Sequence, residues 1–196
     1  MRTSVHFLLW AAGLARAETQ TTAAERAAVA RHAAGQGWVV EVGAWHGVTT
    51  AELRAAVGRG GRLWAVDPYV PGRLRVSLQR LIALREVGKA RGAEVTWIRK
   101  TGVEAAAEAA RTGRQVDLVF IDGDHSWEGV SGDWNAWSPL VRVGGHVALH
   151  DSRSTPTRDL EQAGSARFTR DVVRHAPGWR VVEEVDSLTV VQRVAA

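Results

Sequence analysis

Residues 39–50 read Val39-Val40-Glu41-Val42-Gly43-Ala44-Trp45-His46-Gly47-Val48-Thr49-Thr50. A short run of mostly β-branched apolar residues breaks at Gly43, turns through Gly47 and leads into a helical period over Thr49–Val57. Glycine in such a turn lets the backbone approach a ligand closely. A dinucleotide-binding turn would show G-x-G-x-x-G, because a pyrophosphate needs close backbone and a helix N-terminus together. This turn has E-x-G-x-x-x-G instead. Two glycines are also what a tight strand-to-helix turn needs, so the rest of the chain has to decide.

Outward from this stretch, apolar runs alternate with helical periods. Leu63-Val66 precedes a helix over Leu74-Ala90, Val95-Ile98 precedes Val103-Arg111, and Val116-Ile121 precedes Trp127-Trp137. Gly145-Leu149 follows, then a loop and a helix near Arg167-His175. Strands that are short and nearly all apolar, each followed by a helix, predict a parallel sheet covered on both faces. Trp179-Val185 and Leu188-Val194 are separated only by Asp186-Ser187, a spacing that permits an antiparallel hairpin, so the last strand is expected to run against the others. On the N-terminal side, Thr22 and Glu25 form a capping box that opens an alanine-rich helix ending near Ala34, before Gly35 and Gly37. The expected fold is α/β, a Rossmann-like, seven-stranded, mostly parallel sheet. It forms one domain, with residues 1–36 a helical N-terminal segment and residues 37–196 the core. A chain of 196 residues, 45% hydrophobic, closes one substantial core.

Composition removes several classes of function. With no cysteine there are no disulfides, thiolate metal sites or cysteine nucleophiles, so any metal must be held by carboxylates, histidines or carbonyl oxygens. The formal charge is +4, Lys89 and Lys100 are the only lysines, and no dense basic run occurs; nucleic acid is not an expected partner. The start, Arg2 followed by Val5–Ala12 and then Ala15-Arg16-Ala17, imitates a short signal peptide, but His6 interrupts its apolar run. The reading adopted is a helix packed on the domain or on a partner subunit, in a cytoplasmic protein that does not meet the membrane; no stretch is long enough to span one. Assembly of the chain into a homo-oligomer is left open.

Three further stretches carry chemistry. Ala65-Val66-Asp67-Pro68-Tyr69 ends the next strand and sets a carboxylate about twenty residues past the glycine turn, where an adenosine ribose would present two hydroxyls. An ionised Asp67 accepts from both, and such charge-assisted bonds are stronger than neutral ones. The third stretch runs Val119-Phe120-Ile121-Asp122-Gly123-Asp124-His125-Ser126-Trp127-Glu128-Gly129-Val130, with Asp133-Trp134 and Gly144-Gly145 beyond it. The fourth is Ala148-Leu149-His150-Asp151-Ser152.

Together these motifs, over about Trp38–Ser152, resemble class I S-adenosylmethionine-dependent methyltransferases. The branch is that of macrocin-type O-methyltransferases and cephalosporin-hydroxylase-like proteins, with its I-D-G-D-H-S-[YW]-E-G-V signature and later G-G-x-x-x-x-H-D. The resemblance implies that the turn of Glu41, Gly43, Ala44, Trp45, Gly47 and Thr49 wraps the methionine part of the cofactor. It implies that Asp67 and Pro68 meet the ribose, that Thr101 and Gly102 lie near adenine, and that Asp122 and Gly123 close the cofactor site. In related cation-dependent enzymes the acids ending the fourth and fifth strands bind Mg²⁺. The corresponding residues here are Asp122 and Asp151, with His150 as a further donor where Ser152 is a poor one. Hard oxygen ligands suit Mg²⁺, which lowers the pKa of a bound hydroxyl. His125 stands where catechol-type relatives place a lysine base, and imidazole titrates near neutrality. The implied reaction is methyl transfer to a hydroxyl of a small metabolite.

Alternatives remain at this point: a metal-independent N- or C-methyltransferase, a cofactor-binding protein without transfer activity, and an iron site built from two histidines and a carboxylate. Trp134 and Trp137 are expected in the core, Trp45 and Trp127 beside the pocket. His46 is expected near the substrate, and His6, His32, His146 and His175 have no partner evident in sequence. Arg73, Arg75, Arg80, Arg153 and Arg158 flank the opening as solvated charges or, for an acidic substrate, as bidentate partners.

Overall fold

The computed structural model describes residues 3–72 and 75–195. Arg2, Arg73 and Leu74, which enter the expectations above, lie outside the described residues. Seven strands form one sheet: β1 (Trp38–Val42), β2 (Arg62–Val66), β3 (Glu94–Ile98), β4 (Val116–Ile121), β5 (Val141–Leu149), β6 (Trp179–Val185) and β7 (Leu188–Arg193). Their order is β3-β2-β1-β4-β5-β7-β6, and every neighbouring pair is parallel except those involving β7, which is antiparallel to both β5 and β6. The seven-stranded, mostly parallel sheet with a reversed last strand is therefore as expected.

Each residue of β1 is buried, as a strand covered on both faces requires. Val40 and Val42 point into a layer with Val119, Ile121, Trp134 and Trp137, beneath α5 (Gly102–Arg111) and α6 (Trp127–Trp137). Val39 points the other way, with Leu118 and Phe120, beneath α2 (Ala23–Ala33) and α3 (Val48–Val57). Trp134 and Trp137 thus belong to the core, as their helical spacing suggested. The Thr22–Glu25 capping box forms and starts α2. Ahead of it, α1 (Thr3–Ala11) packs on α4 (Leu78–Lys89), where Trp10 Nε1 donates to Glu86 Oε1 at 2.9 Å and Arg85 lies over the Trp10 ring. Among the described residues no helix is long and apolar enough to cross a membrane.

Three boundaries differ from the sequence expectation, each for a tertiary or capping reason. β5 begins at Val141 rather than Gly145, because its Gly144-Gly145 pair sits inside the strand, where the β4–β5 register shifts between Val116 and Leu118. A side chain at Gly145 would stand 2.8 Å from the Asp117 carbonyl oxygen, so the glycine permits the bulge rather than starting the strand. α4 begins at Leu78, where Ser77 Oγ accepts the Arg80 N–H. The last helix, α7, runs Gly164–Asp171, with a 3-10 turn at Val173–His175. Its first turn is anchored from outside: Ser165 N donates to the His125 carbonyl and Ser165 Oγ to the Asp151 carbonyl.

Candidate active site

The sheet order reverses between β1 and β4, and a cleft of about 730 Å³ opens beyond the carboxyl ends of the strands there. All the residues expected to hold a cofactor line it: Glu41, Gly43, Ala44, Trp45, Gly47, Thr49, Asp67, Pro68, Thr101, Gly102, Asp122 and Gly123. Gly43 is obligatory. Its φ is +96°, and a Cβ there would lie 2.1 Å from the Asp122 carbonyl oxygen, so the β1 and β4 ends approach only because this residue has no side chain.

Asp67 ties the two turns together. Its Oδ2 accepts the Trp45 N–H at 2.9 Å and its Oδ1 the Tyr69 N–H at 2.8 Å. Trp45 and Tyr69 both have positive φ, 41° and 44°, so the carboxylate holds two uncommon backbone conformations. Each oxygen keeps a further lone pair for a hydroxyl. Glu41, 1% exposed, accepts a hydrogen bond from Thr50 Oγ1 of α3. Burial, with the Asp122 and Asp67 charges behind it, nevertheless pushes its carboxyl up to about 8. Thr49 Oγ1 meets Thr21 Oγ1 at 3.3 Å, and Thr101 is the N-cap of α5, in a capping box with Glu104. Thr101 therefore does two things at once, closing the start of a helix and forming part of the cleft wall.

The β4–β5 side is built from ion pairs. His150, 2% exposed, stands with Nδ1 2.7 Å from Asp122 Oδ1 and Nε2 3.4 Å from Glu25 Oε2 and 3.5 Å from Asp151 Oδ1. Neither ring nitrogen has the alignment of a good hydrogen bond, so these contacts act chiefly as charge against charge. Burial opposes the imidazolium, but Asp122, Glu25 and Asp151 outweigh it and hold the His150 pKa above its ordinary range. Glu25 is lowered against its own burial by His150, Ser187 and Thr22. Its Oε1 accepts both the N–H and the hydroxyl of Ser187, at 2.8 and 2.6 Å. Arg158 spans Asp151 with two bonds of 2.6 and 2.7 Å.

Of Asp122, Asp151 and His150, the set the resemblance gives to a metal, Asp122 alone lines the cleft. Asp151 has both carboxylate oxygens taken by Arg158, is 3% exposed and does not line the cleft. His150 is enclosed, with Asp122, Glu25 and Asp151 around its ring. The side chains that do converge, with ligand atoms within 4.8 Å of one another, are Asp122, His125 and His150. Two imidazoles and one carboxylate are a poor match for Mg²⁺, which takes oxygen.

His125 is at the cleft wall, with its side chain 33% exposed and Nε2 3.7 Å from Asp122 Oδ1. Its ring meets that of His150 edge to face, with centroids 5.7 Å apart. Ser126 Oγ accepts the Gly129 N–H to start α6, and Asp124 Oδ1 accepts the Ser126 N–H, so the I-D-G-D-H-S stretch forms a capped turn that projects His125. Trp127 is not at the cleft; it packs edge to face on Phe168, with Arg167 over it. Arg158 is committed to Asp151 and Arg153 to Asp186 and Glu184, and Lys100 is the one Lys or Arg among the described residues lining the cleft.

Two contributors escaped the sequence reading. Glu25 looks like a capping residue only, since its partner Ser187 is 162 positions away. Asp133 of α6 lines the cleft and is 6% exposed; burial, with Asp124 adding to it, pushes its carboxyl up to about 6. Its place in the motif stretch was the available signal, masked because α6 otherwise reads as packing. His46 lines the cleft but turns its Nδ1 to the Glu18 N–H at 3.1 Å and stacks on His6. Burial and the neighbouring His6 lower it to about 4.

Comparison with known proteins agrees with this geometry. The sequence pattern of a methyltransferase domain matches residues 40–152. No curated protein matches the chain. Among solved structures, the cofactor-bound Rv0187 from MTB is 19% identical, over 98% of this chain and 90% of that one, with a TM-score of 0.67. The O-methyltransferase TomG from Streptomyces achromogenes, in complex with SAM, is 16% identical over 98% and 89%, with a TM-score of 0.63. The O-methyltransferase from Bacillus cereus, in complex with SAH, is 17% identical over 98% and 91%, with a TM-score of 0.61.

Proposed function

We propose, since the chain belongs to the methyltransferase-domain family, that it transfers the methyl group of S-adenosylmethionine to a hydroxyl of a small metabolite. The single observation that carries this reading is that one cleft is lined both by the Asp67-held turn and by His125. Structural neighbours that are O-methyltransferases holding SAM or SAH support it.

S-adenosylmethionine supplies an electrophilic methyl group on a sulfonium. The chain's own residues hold and orient. Asp67 offers its free lone pairs to the two ribose hydroxyls, with Pro68 beside it, and Thr101 and Gly102 bound the adenine end. Glu41, Gly43, Ala44, Trp45, Gly47 and Thr49 surround the methionine end, while Asp122 and Gly123 close the floor. Asp133, buried with a carboxyl that faces the cleft, is placed to accept from an amine of the bound nucleoside. As the acceptor oxygen attacks, the O–CH₃ bond forms, the S–CH₃ bond breaks with its electron pair passing to sulfur, and the hydroxyl proton moves to His125. Asp122, 3.7 Å from Nε2, stabilises the resulting imidazolium through charge. No step is routed through a divalent cation: Arg158 and His150 already supply positive charge where the resemblance would put Mg²⁺.

Purified protein, methyl-labelled S-adenosylmethionine and a panel of small hydroxylated compounds test the reading, with chelator and with Mg²⁺ restored. Label should reach a hydroxyl acceptor at a rate independent of added Mg²⁺. Activity that vanishes on chelation and returns specifically with Mg²⁺ would restore the cation mechanism; cofactor binding with no acceptor labelled would favour a binding protein.

A further inference from the structure

His6, on α1, is 4% exposed, and both of its ring nitrogens are buried with no hydrogen-bond partner. An imidazole always carries at least one N–H, so this burial leaves a donor unmet, and a neutral ring leaves an acceptor unmet as well. Glu18 Oε1 approaches Nδ1 to 3.3 Å without hydrogen-bond alignment. Across from His6 lies His46, 2% exposed, with its ring plane 3° from that of His6 and centroids 5.2 Å apart. The other face of His46 is stacked on Trp45, centroids 4.4 Å apart, and its Nδ1 accepts the Glu18 N–H. One ligand atom from each of His6, Glu18 and His46 falls within 4.8 Å of the other two.

We propose that His6, Glu18 and His46 form a binding site for one divalent transition-metal ion of the zinc type, which staples the N-terminal segment to the turn after β1. Two imidazole nitrogens and a carboxylate oxygen are the donors zinc accepts, at roughly 2.0–2.2 Å, and they suit it better than Mg²⁺ or Ca²⁺. Closing the present spacing to those bond lengths takes a turn of the His6 ring out of its stack, so that its lone pair and that of His46 Nε2 meet at one ion, together with movement of Glu18, whose side chain is 47% exposed and which lies between α1 and α2 rather than in either helix. That same exposure leaves a fourth position open to water. The site stands apart from the Asp122, His125 and His150 group, the other such convergence among the described residues. Its consequence reaches the cleft, because Glu18, Thr19, Gln20 and His46 form part of the wall. The inference does not depend on methyl transfer, and its test uses no activity.

The full chain is titrated with Co²⁺, followed by visible absorption, with Zn²⁺ as competitor and Tm recorded alongside. One Co²⁺ per chain should give d–d bands of low coordination number, displaced by Zn²⁺, with a metal-dependent rise in Tm. Both signals should persist in His125→Ala and be lost in His6→Asn and Glu18→Gln, each checked for folding by circular dichroism. Glu18→Gln alters a half-exposed side chain and decides the matter where His6→Asn fails to fold. No uptake, bands that survive Glu18→Gln, or bands lost in His125→Ala would overturn the proposal, the last by placing the ion on the other group.

Discussion

The two halves of the sheet's carboxyl edge hold their carboxylates in opposite ways. At the ends of β1 and β2, Glu41 and Asp67 are held by a hydroxyl and by backbone N–H groups, with no Lys or Arg contact. At the ends of β4 and β5, Asp122 and Asp151, with Glu25 reaching in from α2, are matched by His150 and Arg158. Neutral donors orient a carboxylate without cancelling its charge, so Asp67 presents negative potential to whatever enters, while Glu41 next to it is mostly protonated near neutrality. The second side is largely compensated internally, and His125 is its one imidazole facing the cleft, beside the carboxylates of Asp122, Asp124, Glu128 and Asp133. A cationic cofactor suits the first side; proton transfer suits the second.

The largest effect should come from breaking the second side. His125→Ala is expected to lower kcat by about 10²–10⁴-fold, the usual worth of a general base, with cofactor affinity unchanged. Steady-state kinetics and calorimetry check this together, and an equal loss of affinity would make His125 a cofactor contact instead.

On the first side, Asp67→Ala takes away the carboxylate proposed to meet the ribose and frees the Trp45 and Tyr69 amides. Affinity for S-adenosylmethionine should fall by about 10–100-fold, from the loss of charge-assisted bonds of about 1.5–3 kcal/mol each, partly offset by water. Unchanged affinity would remove the ribose contact from the account.

The smallest effect sharpens the contrast through pH. Glu41 titrates at about 8 in the free protein, so near neutrality it is mostly protonated, and a cationic ligand would draw it into the ionised form. Binding then releases a proton, and affinity rises as pH climbs toward 8, by about tenfold between pH 6.5 and 8 under simple linkage. The same raised pKa makes the ligand-free fold lose stability as pH rises from about 4.5, where the unfolded glutamate ionises, through about 8. Calorimetry in buffers of different ionisation enthalpy measures the proton count; Glu41→Gln should abolish it, and a count of zero in the unaltered protein would show that the ligand's charge does not reach Glu41.

Much of the site was legible in the sequence because its signals are local. Gly43 is needed where β1 must turn against β4, Asp67 ends a strand, and His125 follows a strand end by four residues in a capped turn. The pairing at Asp151 was not legible, because nothing near it in sequence shows that Arg158 folds back on it. His6 seemed partnerless for the same reason, although packing stacks it on His46, forty positions along the chain.

By itself, the sequence determined the strand–helix alternation, the reversed last strand and the glycine turn that lines the cleft. Hydrophobic period, turn chemistry and strand-end position act over a few residues and survive without knowledge of neighbours. Tertiary structure alone decided which charges cancel. Glu25, His150, Asp151 and Ser187 come from three distant stretches, and electrostatic compensation depends on ångström distances that only the packed sheet and its helices impose.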